Sequence, residues 1–164
     1  YPLPDPDKPG RLGKLPMLVQ KYKGKKAIIF QQRAEFMWSV YLRGMDNLLM
    51  DFILEPEFAH RLLDRVLETN IRLAQNACRA GADIIVLGDD VAANSGPLMS
   101  PQLFDEFIAP RMKKIVDAIH AEGGKVIKHT DGNIMKIIDS IINTGIDGLN
   151  PIDQIGRASC RERV

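Results

Sequence analysis

Cysteine is scarce in this chain: two residues, Cys78 and Cys160, among 164. That is too few for a disulfide framework, which makes a reducing cytoplasm the expected location. Cys78 stands among Ala74, Ala77 and Ala80 on one helix face and reads as a small buried hydrophobe rather than a reactive thiol. No apolar run approaches the roughly 18 residues needed to span a bilayer, so no membrane role is expected. A surplus of one charge sign is missing too. The net charge is +1, which argues against a dedicated nucleic-acid partner. The Pro-rich start, Tyr1 to Asp7, has no signal-peptide character. Finally, no glycine-rich phosphate loop follows any strand, which speaks against a dinucleotide-binding sheet.

What is present is an ordinary globular composition, 45% hydrophobic and 26% charged, suited to one soluble domain with a sizeable core. Met17 to Lys23 predicts a short helix ended by Gly24, and Ala27 to Phe30 a buried strand. Ala34 to Met50 is partly helical. Glu55-Pro56-Glu57 starts a long helix whose apolar residues keep helical spacing as far as Ala77 and which Gly81 closes. A pattern then repeats. Gly81, Gly123-Gly124 and Gly145 each end a helix, and each is followed by a strand: Asp83 to Leu87, Lys125 to His129, and Ile146 to Asn150. Helices over Pro101 to Ala121 and Ile134 to Ile142 lie between them, the first opened by Ser100 and broken or kinked at Pro110. Strands alternating with helices imply a parallel sheet. Polar residues at the strand ends favour a (β/α)8 barrel, which gathers those ends into one mouth. A barrel takes about 250 residues, so the expected fold is α/β, with about half of a barrel in residues 1–154.

Residues 155–164 have no apolar periodicity and resemble the conceptual translation of a sequencing adapter. The expectation is a non-native tail on a truncated chain, excluded from fold reasoning. It carries three Arg and one Glu, which leaves −1 for the remainder. A half barrel exposes strand edges, so these 164 residues are expected to self-associate and to be inactive alone.

The chemistry concentrates in Lys125-Val126-Ile127-Lys128-His129-Thr130-Asp131-Gly132. His129 and Asp131 stand two apart at a strand end, on one face, and Gly132 turns the chain away. They suit a metal pair with nitrogen and oxygen ligands, or an acid–base pair. The competing reading is a polar pair with Asp131 capping the next helix. Asp89 and Asp90 follow another strand. Neighbours on extended chain point opposite ways, so at most one faces the site, as base, metal ligand or substrate-orienting group. Otherwise the pair is a solvated turn. Asn94 and Ser95, in a turn-rich loop, and Asn150 are candidate substrate contacts. Arg43-Gly44-Met45-Asp46 reads as a surface ion pair before it reads as a site. His60 and His120 read as solvated helix residues.

At these residues the chain resembles the uroporphyrinogen decarboxylase family, a (β/α)8-barrel family. The likeness runs from about Ala27 to Asp153. It is concentrated in Leu42 to Met50, Gly81 to Asp90, Ser100 to Pro110, and His129 to Gly132 with its helix. The resemblance implies one of two chemistries. Corrinoid-dependent methyltransferases of the family bind zinc through His-x-Cys and a later Cys. His129 matches the first ligand, and Asp131 stands where the Cys would be. This branch is the leading expectation: zinc at His129 and Asp131, a methyl donor as substrate, and a corrinoid carried on a partner protein. The alternative is uroporphyrinogen decarboxylase, a cofactor-free lyase of porphyrin and heme biosynthesis acting on a tetrapyrrole. From another class comes a non-catalytic corrinoid- or tetrapyrrole-binding module. A homodimer is the expected assembly of the full-length protein.

Overall fold

The computed structural model describes residues 2–151. The tail expected to be non-native, with Cys160, lies outside the described residues. Four strands form one parallel sheet: β1 (Ile29–Arg33), β2 (Ile84–Gly88), β5 (Lys125–His129) and β6 (Gly148–Asn150), in the order β1-β2-β5-β6. Their spatial order is their chain order, as in consecutive staves of a barrel. Helices fill the crossovers: α2 (Glu35–Arg43), α3 (Met45–Leu54) and α4 (Pro56–Arg79) between β1 and β2, α5 (Pro101–Leu103) and α6 (Ala109–Ala121) before β5, and α7 (Ile138–Asn143) before β6. A short helix α1 (Leu15–Tyr22) precedes them. The architecture is α/β, and the four staves make up part of a (β/α)8 barrel.

One device recurs where a helix hands over to a strand. Gly81 and Gly145 follow helices with φ of 107° and 87°, a conformation open to glycine at little cost. Two residues later an Asp clasps the start of the neighbouring strand or the residue just before it. Asp83 accepts the Ile28 N–H at 2.8 Å, and Asp147 accepts the Val126 N–H at 2.8 Å. Lysines complete both clasps, Lys23 on Asp83 and Lys125 on Asp147. The Asp147 carboxyl is held well below the usual range: partial burial works to raise it, but bonds from His120, Val126 and Lys125 outweigh that.

Pro110 does not simply kink its helix. A π-helical turn, Phe104–Ile108, separates α5 from α6, and Pro110 becomes the second residue of α6. The wider turn avoids the clash and missing donor that proline brings to a helix interior. It also places Phe107 between Phe52 and the His60 ring, each centroid 4.3 Å away. His60 is thus not merely solvated: its Nδ1 lies 3.1 Å from buried Arg111. His120 likewise binds Asp147 at 2.7 Å. Arg43 pairs with Asp51, at 2.7 and 3.1 Å, rather than with Asp46. Cys78 is partly buried, and burial pushes its thiol up, in keeping with an inert packing role.

The β-strand register sets up two rows of side chains near the carboxyl ends. Gln32, Leu87 and Lys128 lie abreast, and all three are buried. One step on, Arg33, Gly88, His129 and Asn150 lie abreast on the other face. The first row is packed away from solvent. The second forms the rim of the barrel mouth.

Candidate active site

Three side chains converge on that rim. Asp90 follows β2, His129 ends β5, and Asp131 stands two residues on; one ligand atom from each lies within 4.8 Å of the others. His129 Nε2 is 3.9 Å from Asp90 Oδ1, and the Asp131 amide reaches the same oxygen at 3.4 Å. On the far side of Asp90, the Arg33 guanidinium lies 3.8 Å from Oδ2. The other imidazole nitrogen, Nδ1, faces Asn150 Oδ1 at 3.1 Å. An amide oxygen can only accept, so Nδ1 carries the proton and the Nε2 lone pair is left for the cluster.

The loop beyond His129 is fixed at both ends of its turn. The buried Thr130 hydroxyl accepts the Val91 N–H at 3.1 Å. Gly132 has φ of 86°, and a Cβ there would lie 2.7 Å from backbone atoms of Ala92 and Ala93. Those residues belong to a two-stranded hairpin, β3 (Ala92–Ala93) with β4 (Gly96–Pro97), where the sequence suggested only a loop. Asn94 and Ser95 are exposed at its tip. The Asn133 N–H bonds Ala93 O at 2.9 Å, so the hairpin and the His129–Asp131 loop are one packed unit.

Asp89 takes the opposite direction from Asp90, as alternation requires. It is fully buried, and its Oδ1 accepts the Met37 N–H at 2.7 Å. Helix α2 has Ala34 at its N-cap and no side-chain cap of its own, so a carboxylate from the end of the next strand satisfies its first turn. Asp89 is therefore outside the three-residue cluster. Fully buried Lys128 and Glu35 are its companions, Lys128 Nζ standing 4.0 Å from Asp89 Oδ2. Burial pushes the Lys128 ammonium down and the Asp89 carboxyl up. Glu35 is pushed up to about 8, by burial first and by the charge of Asp89 second. Against that cost of burial, the Lys128 charge works to lower the Asp89 carboxyl and the Asp89 charge works to raise the Lys128 ammonium.

Arg33, Glu35 and Lys128 were not singled out from sequence. For Arg33 the reason is strand length: β1 runs three residues past the expected end at Phe30 and carries Arg33 to the mouth. For Lys128 the signal was available, since it alternates in phase with the buried Val126.

The donor set suits a divalent cation. One imidazole nitrogen and two carboxylates within reach of one point, on a rim open to solvent, match the pattern of a metal held by three protein ligands with a further position free. Hard oxygens outnumber nitrogen, and thiolate is absent from the cluster.

Residues 5–158 match the sequence profile of the uroporphyrinogen decarboxylase (URO-D) family. The chain belongs to that family. Among curated proteins it is similar to the methylated-thiol–coenzyme M methyltransferase of Methanosarcina mazei, 26% identical over 97% of this chain and 44% of that one. It is similar to the methylcobamide:CoM methyltransferase MtaA of Methanosarcina barkeri, 30% identical over 68% of this chain and 32% of the relative. It is also similar to the uroporphyrinogen decarboxylase of a Synechococcus species, 30% identical over 57% of this chain and 26% of the relative. A solved methyltransferase structure from Methanosarcina mazei superposes with a TM-score of 0.75 at 24% identity, covering 84% of this chain and 40% of that one. That likeness confirms the barrel fold. The chain spans less than half the length of the relatives it matches. None of its described helices is long and apolar enough to cross a membrane.

Proposed function

We propose that the chain carries the strand-end half of the active site of a zinc-assisted methyltransferase, acting between a small-molecule methyl carrier and a corrinoid held by a partner protein. The observation that carries this is the Asp90–His129–Asp131 cluster at the barrel mouth. The similarity to methylcobamide and methylated-thiol methyltransferases along most of the chain supports the same reading. His129 Nε2, Asp90 and Asp131 would hold the ion, with Asn150 fixing the imidazole and Arg33 steadying Asp90 from behind. Zinc there supplies Lewis acidity to the heteroatom that gives up or receives the methyl group. The exposed rim leaves room for that heteroatom to approach. Asn94 and Ser95, at the hairpin tip, are the proposed substrate contacts, and a cytoplasmic location is proposed with them.

Metal analysis of the full-length protein tests this. Stoichiometric zinc that is lost in His129→Ala, together with methylcob(III)alamin demethylation by thiols that is lost in the same variant, is the expected result. Zinc-free protein whose activity is indifferent to His129→Ala would overturn it. A second reading, decarboxylation of a tetrapyrrole, is favoured by the similarity to uroporphyrinogen decarboxylase and by the Arg33 cation at the mouth. Coproporphyrinogen formed from uroporphyrinogen by the full-length protein decides for it.

A further inference from the structure

Each member of the buried charge pair is the chain neighbour of a cluster residue. Asp89 precedes Asp90, and Lys128 precedes His129. The Lys128 ammonium donates to the backbone carbonyl of Asp89 and, at 3.3 Å, to that of His129. The His129 carbonyl also accepts the Asp89 N–H at 3.0 Å. One fully buried cation therefore spans the carboxyl ends of β2 and β5 just where each strand hands its next side chain to the mouth. A lysine at a fully buried position of a sheet is costly unless its donors are used. Leucine or methionine would fill the same space without that cost, so packing alone does not explain the ammonium.

We propose that Lys128 is a positioning residue for the Asp90–His129–Asp131 cluster: its ammonium clamps the Asp89 and His129 carbonyls and so sets the separation of the Asp90 and His129 side chains. This rests on the metal-site reading above. Asp89 serves the clamp as counter-ion and ties it to the first turn of α2. The clamp acts behind the sheet, out of reach of substrate, so it touches no reacting atom.

Zinc affinity of the full-length protein, by competition with a chromophoric chelator, tests the clamp, with the cobalt(II) absorption spectrum as a geometric signature. Lys128→Met keeps the shape of the side chain. The double variant Lys128→Met/Asp89→Asn leaves no unpaired buried charge and keeps an oxygen for the Met37 N–H, so it guards against a variant that does not fold. The expected result is zinc binding at least about tenfold weaker and a changed cobalt spectrum in whichever of these folds. Ile119→Val, a destabilising change in the core away from the mouth, should leave both unchanged. Wild-type affinity and spectrum in a folded variant lacking the ammonium would overturn the proposal. If the wild-type protein binds no zinc, the metal reading fails on its own. The clamp is then judged on the imidazole 15N signals of His129 in metal-free protein: displaced signals in the double variant support it, and unchanged signals overturn it.

Discussion

His129 and Asn150 face each other across neighbouring strand ends, with Nδ1 and Oδ1 3.1 Å apart. This contact turns a freely tautomerising ring into one whose Nε2 lone pair looks toward Asp90 and Asp131. Outer partners of metal-bound histidines act in this way, by fixing tautomer and orientation. Asn150→Ala in the full-length protein should weaken zinc binding by about 10- to 100-fold, the range usual for such partners, while secondary structure is retained. Chelator competition measures the first and circular dichroism the second. Asn150→Asp, which keeps an acceptor opposite Nδ1, should lose much less.

Gly132 is the tightest point around the site. Its φ is 86°, and a Cβ would lie 2.7 Å from Ala92 and Ala93 backbone atoms, which cannot swing aside like a side chain. Gly132→Ala should therefore cost about 1–3 kcal/mol of backbone strain, with more from displacement of the hairpin. Because Asp131 is its neighbour, the same change should lower metal affinity. Denaturant unfolding and zinc titration of one variant should show both losses. A variant with wild-type stability and affinity would mean that the loop shifts freely.

These two relationships show where the sequence was readable and where it was not. The strand ending at His129 was legible to the residue, because Gly123-Gly124 ends the preceding helix and Gly132 turns the chain away, bracketing a short β-compatible run. The pairing of His129 with Asp131 followed from strand geometry. Asp90 was found with Asp89, and alternation alone said that only one of them faces the mouth; choosing between them needed α2, whose uncapped first turn takes Asp89. Arg33 was missed because β1 was ended too early. The β3–β4 hairpin was missed because two residues a side give no periodicity to read. The partnership of Lys128 with Asp89 spans 39 positions of chain and has no local signature at all.

The two aspartate clasps make a prediction about folding rather than chemistry. Asp83 accepts the N–H of Ile28, the residue just before β1, and Asp147 that of Val126 in β5, each at 2.8 Å. Their lysine partners are exposed and should matter little. Asp83→Ala and Asp147→Ala should each cost about 1–3 kcal/mol, the penalty for stranding a backbone donor. Lys23→Ala and Lys125→Ala should stay below about 1 kcal/mol. Equal losses from both members of a pair, in denaturant unfolding of the full-length protein, would show that the ion pair rather than the backbone bond dominates.

Glu35 gives the stability a pH dependence whose sign is fixed. Its carboxyl titrates near 4.5 when exposed and is pushed up to about 8 in the fold, by burial and then by the Asp89 charge. Below pH 4.5 both states hold the proton and its contribution is complete. Between 4.5 and about 8 the unfolded chain has released the proton while the fold retains it, so stability falls as pH rises, by at most about 1.4 kcal/mol per pH unit. Above about 8 both forms are ionised and the decline from this group stops. Glu35→Gln, neutral in both states, should remove that slope. It should match the wild-type protein most closely near pH 4.5 and exceed it increasingly toward pH 8. Asp89 and Lys128 are shifted as well and interact with Glu35, so the difference between the two denaturation curves across pH reports Glu35 together with its effect on these two neighbours. Parallel curves for the two proteins between pH 5 and 8 would show that Glu35 ionises in the fold much as it does in water.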